Sequence, residues 1–185
     1  MLSPKFLLHV CCIGCGAYVL ELLKGDYEMT LYFYNPNIEP RAEYDKRLQE
    51  AAKVAAQFGI ELIEEEYDNE RWHKLVRSHE QDPERGERCR ICYRMRLEKT
   101  AQYASEHGFN IFTTTLTISP HKDAEAINAI GLELGKKYGV EFLARDFKKQ
   151  DGFKKTCELS RDLNLYRQEY CGCGDSLKNM MARKK

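Results

Sequence analysis

Short apolar segments alternate with longer amphipathic ones along almost the whole of this chain. The short segments contain many β-branched and aromatic residues, which is typical of buried strands, whereas the long ones repeat apolar residues at helical spacing. Strands are predicted at 6–10, 29–34, 60–63, 110–114 and 140–143. Alternation of this kind indicates an α/β fold. The 185 residues therefore predict one α/β domain, 1–185, with a mostly parallel five-stranded sheet and flanking helices.

Glycine residues mark the ends of several predicted helices. The second helix is predicted over 41–58, with Gly59 as its stop. The first is predicted to begin only at Ala17, after a sharp bend that Gly14 and Gly16 permit because glycine tolerates unusual backbone angles. Further helices are predicted at 69–79, about 89–107, about 123–138, and within a helical, cysteine-containing C-terminal segment from about 152 to 185.

Seven of the eight cysteines fall into three groups. The groups are Cys11-Cys12-x-x-Cys15, Cys89-x-x-Cys92 and Cys171-x-Cys173. The first group follows the first predicted strand, at the edge where α/β sheets place their binding sites. Cysteines in a chain predicted to be cytoplasmic indicate metal binding or redox chemistry rather than structural disulfides. Cys157 stands alone and is interpreted as a small buried residue on a helix.

The first two groups predict a metal site. Cys89 and Cys92 are three residues apart at a helix start, so that both thiols lie on one face where the helix N-terminus favours thiolate. Two C-x-x-C pairs are typical of structural zinc. A complete α/β domain needs no zinc to fold, however, and Cys11 adds a further thiol, which suits an iron–sulfur cluster. The residues alone leave zinc and iron–sulfur open.

The third group has a different character. Gly172 between Cys171 and Cys173 allows a tight backbone turn, so a strained and easily reduced disulfide is one interpretation. Two ligands for a separate metal are the other. Aromatic Tyr166 and Tyr170 are predicted to hold this segment against the body of the protein.

Net charge and hydropathy limit the classes of partner that this protein is expected to have. The 29 basic residues balance the 29 acidic ones, so charge as a whole does not indicate a nucleic-acid partner. No apolar run approaches the roughly 18 residues that span a membrane. The first residues, Met1 to Lys5, lead directly into a strand without the pattern of a signal peptide. We therefore expect a cytoplasmic protein with no membrane partner.

Basic residues nevertheless cluster beside the cysteines. The weak candidates for contact with substrate or an RNA backbone are Arg85, Arg88, His121, Lys148 and Lys149, with a basic C-terminus at 183–185. Local positive charge can dock a phosphate backbone even in a net-neutral protein. Solvation of helix surfaces is the alternative for each patch. His9, within the first strand, is interpreted as a core residue with a hydrogen-bond partner.

Five segments stand out in chain order: Leu8-His9-Val10-Cys11-Cys12, the run from Gly86 to Tyr93, the run from Thr113 to Lys122, Asp146-Phe147-Lys148-Lys149, and the run from Tyr166 to Cys173. Together and in this order they resemble one family, the cobalamin-independent epoxyqueuosine reductases (QueH). The resemblance extends from Leu8 to Cys173. One departure is visible, because Ile13-Gly14 stands where the family commonly has Ala-Pro.

The resemblance implies a fold like that of the PP-loop, or adenine-nucleotide α-hydrolase, group, with cysteines in place of the Ser-Gly-Gly phosphate loop. It implies a [4Fe-4S] cluster with an additional iron nearby. The implied cluster ligands are Cys11, Cys12, Cys89 and Cys92. By the same resemblance Cys171 and Cys173 are a redox-active pair or ligands of the second metal. Cys15 matches the family's third cysteine and is a further candidate ligand.

The implied function is the reduction of epoxyqueuosine to queuosine in tRNA, the last step of that modification, with an unidentified electron donor. Two alternatives stand beside it. One is an ATP-dependent tRNA thiolase of the PP-loop type, which the missing Ser-Gly-Gly-x-Asp-Ser segment disfavours. The other is a non-catalytic RNA-binding module stapled by zinc.

Overall fold

The computed structural model describes residues 3–184, and Met1, Leu2 and Lys185 lie outside them. Within residues 3–184, five strands and seven α-helices follow one another. The strands are β1 (Lys5–His9), β2 (Glu28–Phe33), β3 (Glu61–Glu64), β4 (Ile111–Thr114) and β5 (Glu141–Phe142). The helices are α1 (Ile13–Leu23), α2 (Arg41–Phe58), α3 (Asn69–Val76), α4 (Glu87–Glu106), α5 (Ala124–Tyr138), α6 (Gly152–Asp162) and α7 (Gly174–Arg183). A short 3-10 helix, Thr115–Ile118, follows β4.

The five strands form one parallel sheet in the order β3-β2-β1-β4-β5. The predicted α/β class and parallel sheet are therefore confirmed. Strand β1 lies at the centre, where His9 is level with Tyr32 of β2 on one side and Thr114 of β4 on the other. The strand order reverses between β1 and β4. Such a switch point leaves a crevice at the carboxyl edge of the sheet, where ligands bind in open α/β folds.

Helices cover both faces of the sheet. Alternate residues of β1 enter different cores, because successive side chains of a strand point to opposite faces. Leu7 packs with α3, α4 and α5, whereas Phe6 and Leu8 pack with α1 and α2. Trp72 of α3 is buried in the first core and Tyr44 of α2 in the second. Burial on both faces explains why the strands read as continuous apolar runs.

Helix α1 begins at Ile13, four residues before the predicted start, with Cys12 as its N-cap residue. The prediction that Gly14 and Gly16 bend the chain was wrong, because both lie inside this helix. Their small size matters instead. A methyl group on Gly14 would collide with the backbone oxygen of Tyr166, and one on Gly16 would lie 2.7 Å from Thr115 Cγ2. The two glycines therefore let α1 pack closely against its neighbours.

No helix within residues 3–184 is long and apolar enough to cross a membrane. The cytoplasmic location predicted from the sequence stays a prediction. The predicted C-terminal segment contains α6 and α7, which are joined by the stretch that carries Cys171 and Cys173.

Candidate active site

A cavity of about 370 Å³ opens beside the carboxyl ends of β1 and β4. Six cysteines line it: Cys11, Cys15, Cys89, Cys92, Cys171 and Cys173. They come from the turn after β1, from α1, from the first turns of α4, and from the segment before α7. The fold thus brings the three cysteine groups of the sequence to one cavity at the switch point.

The adjacent cysteines after β1 have different surroundings. Cys11 lines the cavity, whereas Cys12 is not among its lining residues. The sulfur of Cys12 lies 3.9 Å from the carbonyl oxygen of Tyr166. A hydrogen bond from the Cys15 thiol lowers the pKa of Cys12 to about 6, and the same bond raises the pKa of Cys15. Cys12 is therefore the preferred thiolate of this pair.

Helix α4 presents Cys89 and Cys92 to the cavity on one helical face. The backbone N–H of Arg85 donates to the sulfur of Cys89 over 3.4 Å. Burial raises the pKa of Cys89 and raises that of Cys92 to about 12. Burial thus outweighs the effect of the helix N-terminus that the sequence suggested. A bound metal would change this balance, because it binds cysteine as thiolate.

The C-terminal cysteine pair lies beside a half-buried lysine, Lys122. The Nζ atom of Lys122 lies 2.9 Å from the sulfur of Cys171. Burial opposes the Cys171 thiolate, but the charges of Lys122 and Arg96 outweigh burial, so the pKa of Cys171 is lowered. Gly172 has φ +127, a backbone angle that favours glycine, which confirms the tight turn predicted here. Neither Cys171 nor Cys173 is in a disulfide.

Hydrogen bonds hold the segment that carries Cys171 and Cys173 against α2. Its anchor is Arg47, whose side chain is 0% exposed and pairs with Glu43 over 2.7 Å. The same guanidinium donates to the carbonyl oxygens of Tyr170 and Cys171, each over 3.1 Å. The Tyr166 hydroxyl donates to Glu43, and the Tyr170 hydroxyl to a backbone carbonyl of the β2–α2 loop. The predicted anchoring by the two tyrosines is confirmed.

Two of the five residues suggested for substrate or RNA contact line the cysteine cavity, and the other three do not. Arg88 and His121 line the cysteine cavity, whereas Lys148 and Lys149 do not. Arg88 is buried and pairs with Asp175 over 3.5 Å. The guanidinium of Arg85 donates to the backbone oxygens of Pro120 and His121, over 2.6 and 3.2 Å, and so joins two loops at the cavity. Lys148 pairs with Asp146.

Among the polar residues that line the cavity, sequence reasoning missed the roles of Arg96, Lys122 and Gln168. Gln168 donates to the sulfur of Cys15 over 3.0 Å. Arg96 carries a usable signal, because it lies four residues after Cys92 in a helix and therefore on the same face. Lys122 is the last residue of the family-like run from Thr113 to Lys122, but no local pattern predicts its contact with Cys171, 49 positions away.

The interpretation of His9 is confirmed. It is completely buried, with Nδ1 2.8 Å from the Thr114 hydroxyl and Nε2 3.1 Å from the carbonyl oxygen of Tyr34. Burial and the nearby Arg96 lower its pKa to about 3, so the imidazole is neutral. The lone Cys157 lies on α6, as predicted, but is only half-buried.

The thiols do not converge on a single point. Within residues 3–184, no three His, Cys, Asp or Glu side chains stand in a grouping that would hold one metal ion. All eight cysteines, each inside that range, are free. A cluster differs from a single ion in this respect, because each thiolate binds its own iron and the ligands stand farther apart.

Comparison with known proteins places the chain in a family. The sequence profile described as "Epoxyqueuosine reductase QueH" matches residues 6–179. The protein of that name from Haemophilus influenzae is 43% identical over 177 residues, which cover 95% of this chain and 72% of the relative. Its counterpart from Streptococcus pyogenes is 40% identical over 92% of this chain and 69% of the relative.

A solved structure shares the fold. It is the U34-tRNA thiolase NcsA from Methanococcus maripaludis with its [4Fe-4S] cluster, which matches with a TM-score of 0.59 at 12% identity. The match covers 99% of this chain and 65% of the thiolase. At this identity the likeness shows the fold alone, and it confirms the architecture expected from the PP-loop resemblance. The family profile and the relatives together establish that this chain belongs to the epoxyqueuosine reductase QueH family.

Proposed function

We propose that this protein is an oxidoreductase that reduces epoxyqueuosine to queuosine in tRNA by means of a [4Fe-4S] cluster. The observation that carries the proposal is the meeting of three cysteine groups in one cavity of a QueH-family chain. Conversion of an epoxide to an alkene takes up two electrons and two protons and releases water. An ATP-dependent thiolase of the PP-loop type is disfavoured because cysteines follow β1 where that type has a Ser-Gly-Gly-x-Asp-Ser segment.

The donor set fits a cluster. All four proposed ligands, Cys11, Cys12, Cys89 and Cys92, are thiols, the ligands that iron–sulfur clusters prefer. Two cations, Arg96 and Lys122, line the cavity together with its six cysteines, and neither is paired with a carboxylate in the described part of the chain. Such cations suit the negative charge of a cluster bound by thiolates.

The residues around the cavity supply the rest of the site. When bound, the cluster would supply electrons one at a time. Lys122 holds a positive charge at the cavity wall, where it can attract the oxygen that leaves the epoxide. The Cys171 sulfur, beside Lys122, and Cys173 provide either a dithiol that exchanges electrons or two ligands for the additional iron.

The substrate has to reach this cavity from an RNA loop. Proteins commonly read single-stranded RNA by splaying a base out of its stack. Arg88 and His121 line the cavity and are the proposed contacts near the modified base, and Arg85 positions the loop that carries His121. Lys148 and Lys149, outside the cavity, are proposed to contact the RNA backbone farther away.

Anaerobic purification followed by metal analysis tests the cofactor. About four sulfides per chain are expected, with about four irons for the cluster alone and about five if the additional iron is present. Zinc without iron would contradict the proposal and support the zinc-stapled alternative. Removing the metal with a chelator should abolish the brown colour and the turnover of epoxyqueuosine-containing tRNA with a low-potential reductant.

Cysteine variants test the site. Cys89→Ala and Cys173→Ala should each lose turnover by at least tenfold, whereas Cys157→Ala, which lies outside the cavity, should retain it. Full turnover by both cavity variants would show that the site is wrongly assigned. Cys12→Ser and Cys15→Ser are compared for cluster content, because Cys15 lines the cavity and Cys12 does not. Loss of the cluster in Cys12→Ser alone supports the proposed ligand set.

A further inference from the structure

Arg96 is a buried cation without a counter-charge. It is 1% exposed and lies on α4 one helical turn after Cys92. The two other buried arginines of the structure each pair with a carboxylate, Arg47 with Glu43 and Arg88 with Asp175. Within residues 3–184, no carboxylate lies in ion-pairing distance of Arg96. An isolated buried charge is costly, so an anion is required at this position.

Neutral groups hold the Arg96 guanidinium in place. Its Nε donates to the carbonyl oxygen of Cys92 and its Nη1 to the Asn35 side chain, each over 3.4 Å. Asn35 in turn donates to the carbonyl oxygen of Val10, at the carboxyl end of β1, over 2.9 Å. The Nη2 atom is buried and has no hydrogen-bond partner among the described residues. The fold therefore fixes a charged donor and leaves one of its nitrogens without an acceptor.

The surroundings of the Arg96 side chain indicate which anion it meets. Arg96 lines the cavity together with Cys11, Cys92 and Cys171. A cluster bound by four thiolates carries net negative charge, and charge and hydrogen bonds near its sulfurs set its reduction potential. Arginine is always protonated in proteins, so its charge is permanent. Reduction adds one further negative charge, which a fixed cation next to the cluster stabilises.

We infer that Arg96 compensates the charge of the cluster, donates a hydrogen bond to a sulfur ligand, and raises the reduction potential of the bound cluster. This inference rests on the proposed function, because it needs the cluster to be present. It assigns Arg96 a role in electron transfer rather than in binding tRNA.

The test is the reduction potential of the reconstituted protein, followed by electron paramagnetic resonance during an anaerobic redox titration. Arg96→Met should shift the potential to more negative values, because it removes the cation while keeping much of the side-chain volume. The matched control is Arg94→Met on the same helix. The Arg94 side chain is 44% exposed and pairs with Glu133, so its removal should leave the potential unchanged.

Two more variants separate charge from shape. Arg96→Lys keeps the charge and should stay closer to the wild-type potential than Arg96→Met, whereas neutral Arg96→Gln should follow Arg96→Met. If Arg96→Met and Arg96→Gln fail to retain the cluster but Arg96→Lys retains it, the inference is also supported. Equal potentials for Arg96→Met and Arg94→Met would overturn it, and so would loss of the cluster in all three Arg96 variants. Wild-type protein without iron and sulfide would instead refute the proposed function.

Discussion

Replacing Arg47 with methionine should detach the C-terminal cysteine segment from α2 and destabilise the fold. Arg47 is fully buried, and its three guanidinium nitrogens donate to the Glu43 carboxylate and to the carbonyl oxygens of Tyr170 and Cys171. Methionine keeps most of the volume but removes the charge and all three hydrogen bonds. The Glu43 side chain, only 11% exposed, would then be a buried carboxylate without its cation.

The structure sets the size of this effect. Removing one partner of a buried ion pair costs about 3–5 kcal/mol. The lower end applies here, because the hydroxyl of Tyr166 still donates to the Glu43 carboxylate, whose two oxygens lie 2.9 and 3.1 Å away. A loss of about 3 kcal/mol in a domain of this size lowers the melting temperature by about 6–12 °C. The backbone of the released segment should also exchange its amide hydrogens faster.

Thermal unfolding of the metal-free protein measures the effect, and hydrogen exchange at 170–173 locates it. Arg41→Met is the matched control, because Arg41 also pairs with a residue four positions away over 2.7 Å but is 58% exposed. Exposed pairs contribute about 1 kcal/mol or less. Equal melting temperatures for Arg41→Met and Arg47→Met would refute the argument from burial. The double variant Arg47→Met/Glu43→Gln should recover part of the loss, since it removes the uncompensated charge.

Two further predictions concern stability. Gly14→Ala should lower the unfolding free energy by about 1–3 kcal/mol, because the added methyl collides with the backbone of the C-terminal segment. The control is Gly25→Ala, which has open space around it and should not destabilise the protein. Equal denaturant midpoints for the two variants would contradict this prediction. His9 has its pKa lowered to about 3 by burial, so the unfolded chain takes up its proton first as pH falls below 6.5. Its contribution to stability is complete above pH 6.5 and should decline by about 2 kcal/mol from pH 7 to pH 5. Denaturant titrations should show a flatter profile for His9→Gln over that range, and parallel profiles would refute the assignment.

The sequence predicted the local elements well where periodicity and stop signals coincide. Helix α2 has the bounds 41–58 that its apolar stripe and Gly59 indicated. The predicted start of α1 was wrong, because glycine residues favour turns and Gly14 and Gly16 were therefore interpreted as a bend before the helix. Their helical role depends on the close approach of Tyr166 and Thr115, which come from distant parts of the chain.

The sequence by itself determined the α/β class, the family and the three cysteine groups, because strand and helix periodicity and motif order are properties of neighbouring residues. Only the tertiary structure decided which thiols share a cavity, because it brings the first turns of α4 and the segment before α7 to the turn after β1. It also decided that Arg96 and Lys122 lie among those thiols, and that Arg47 holds the C-terminal pair. From a sequence, a charged residue is expected to lie at the surface in water. Only the tertiary structure shows that a cation such as Arg96 is buried without a carboxylate partner, and therefore that an anion is needed beside it.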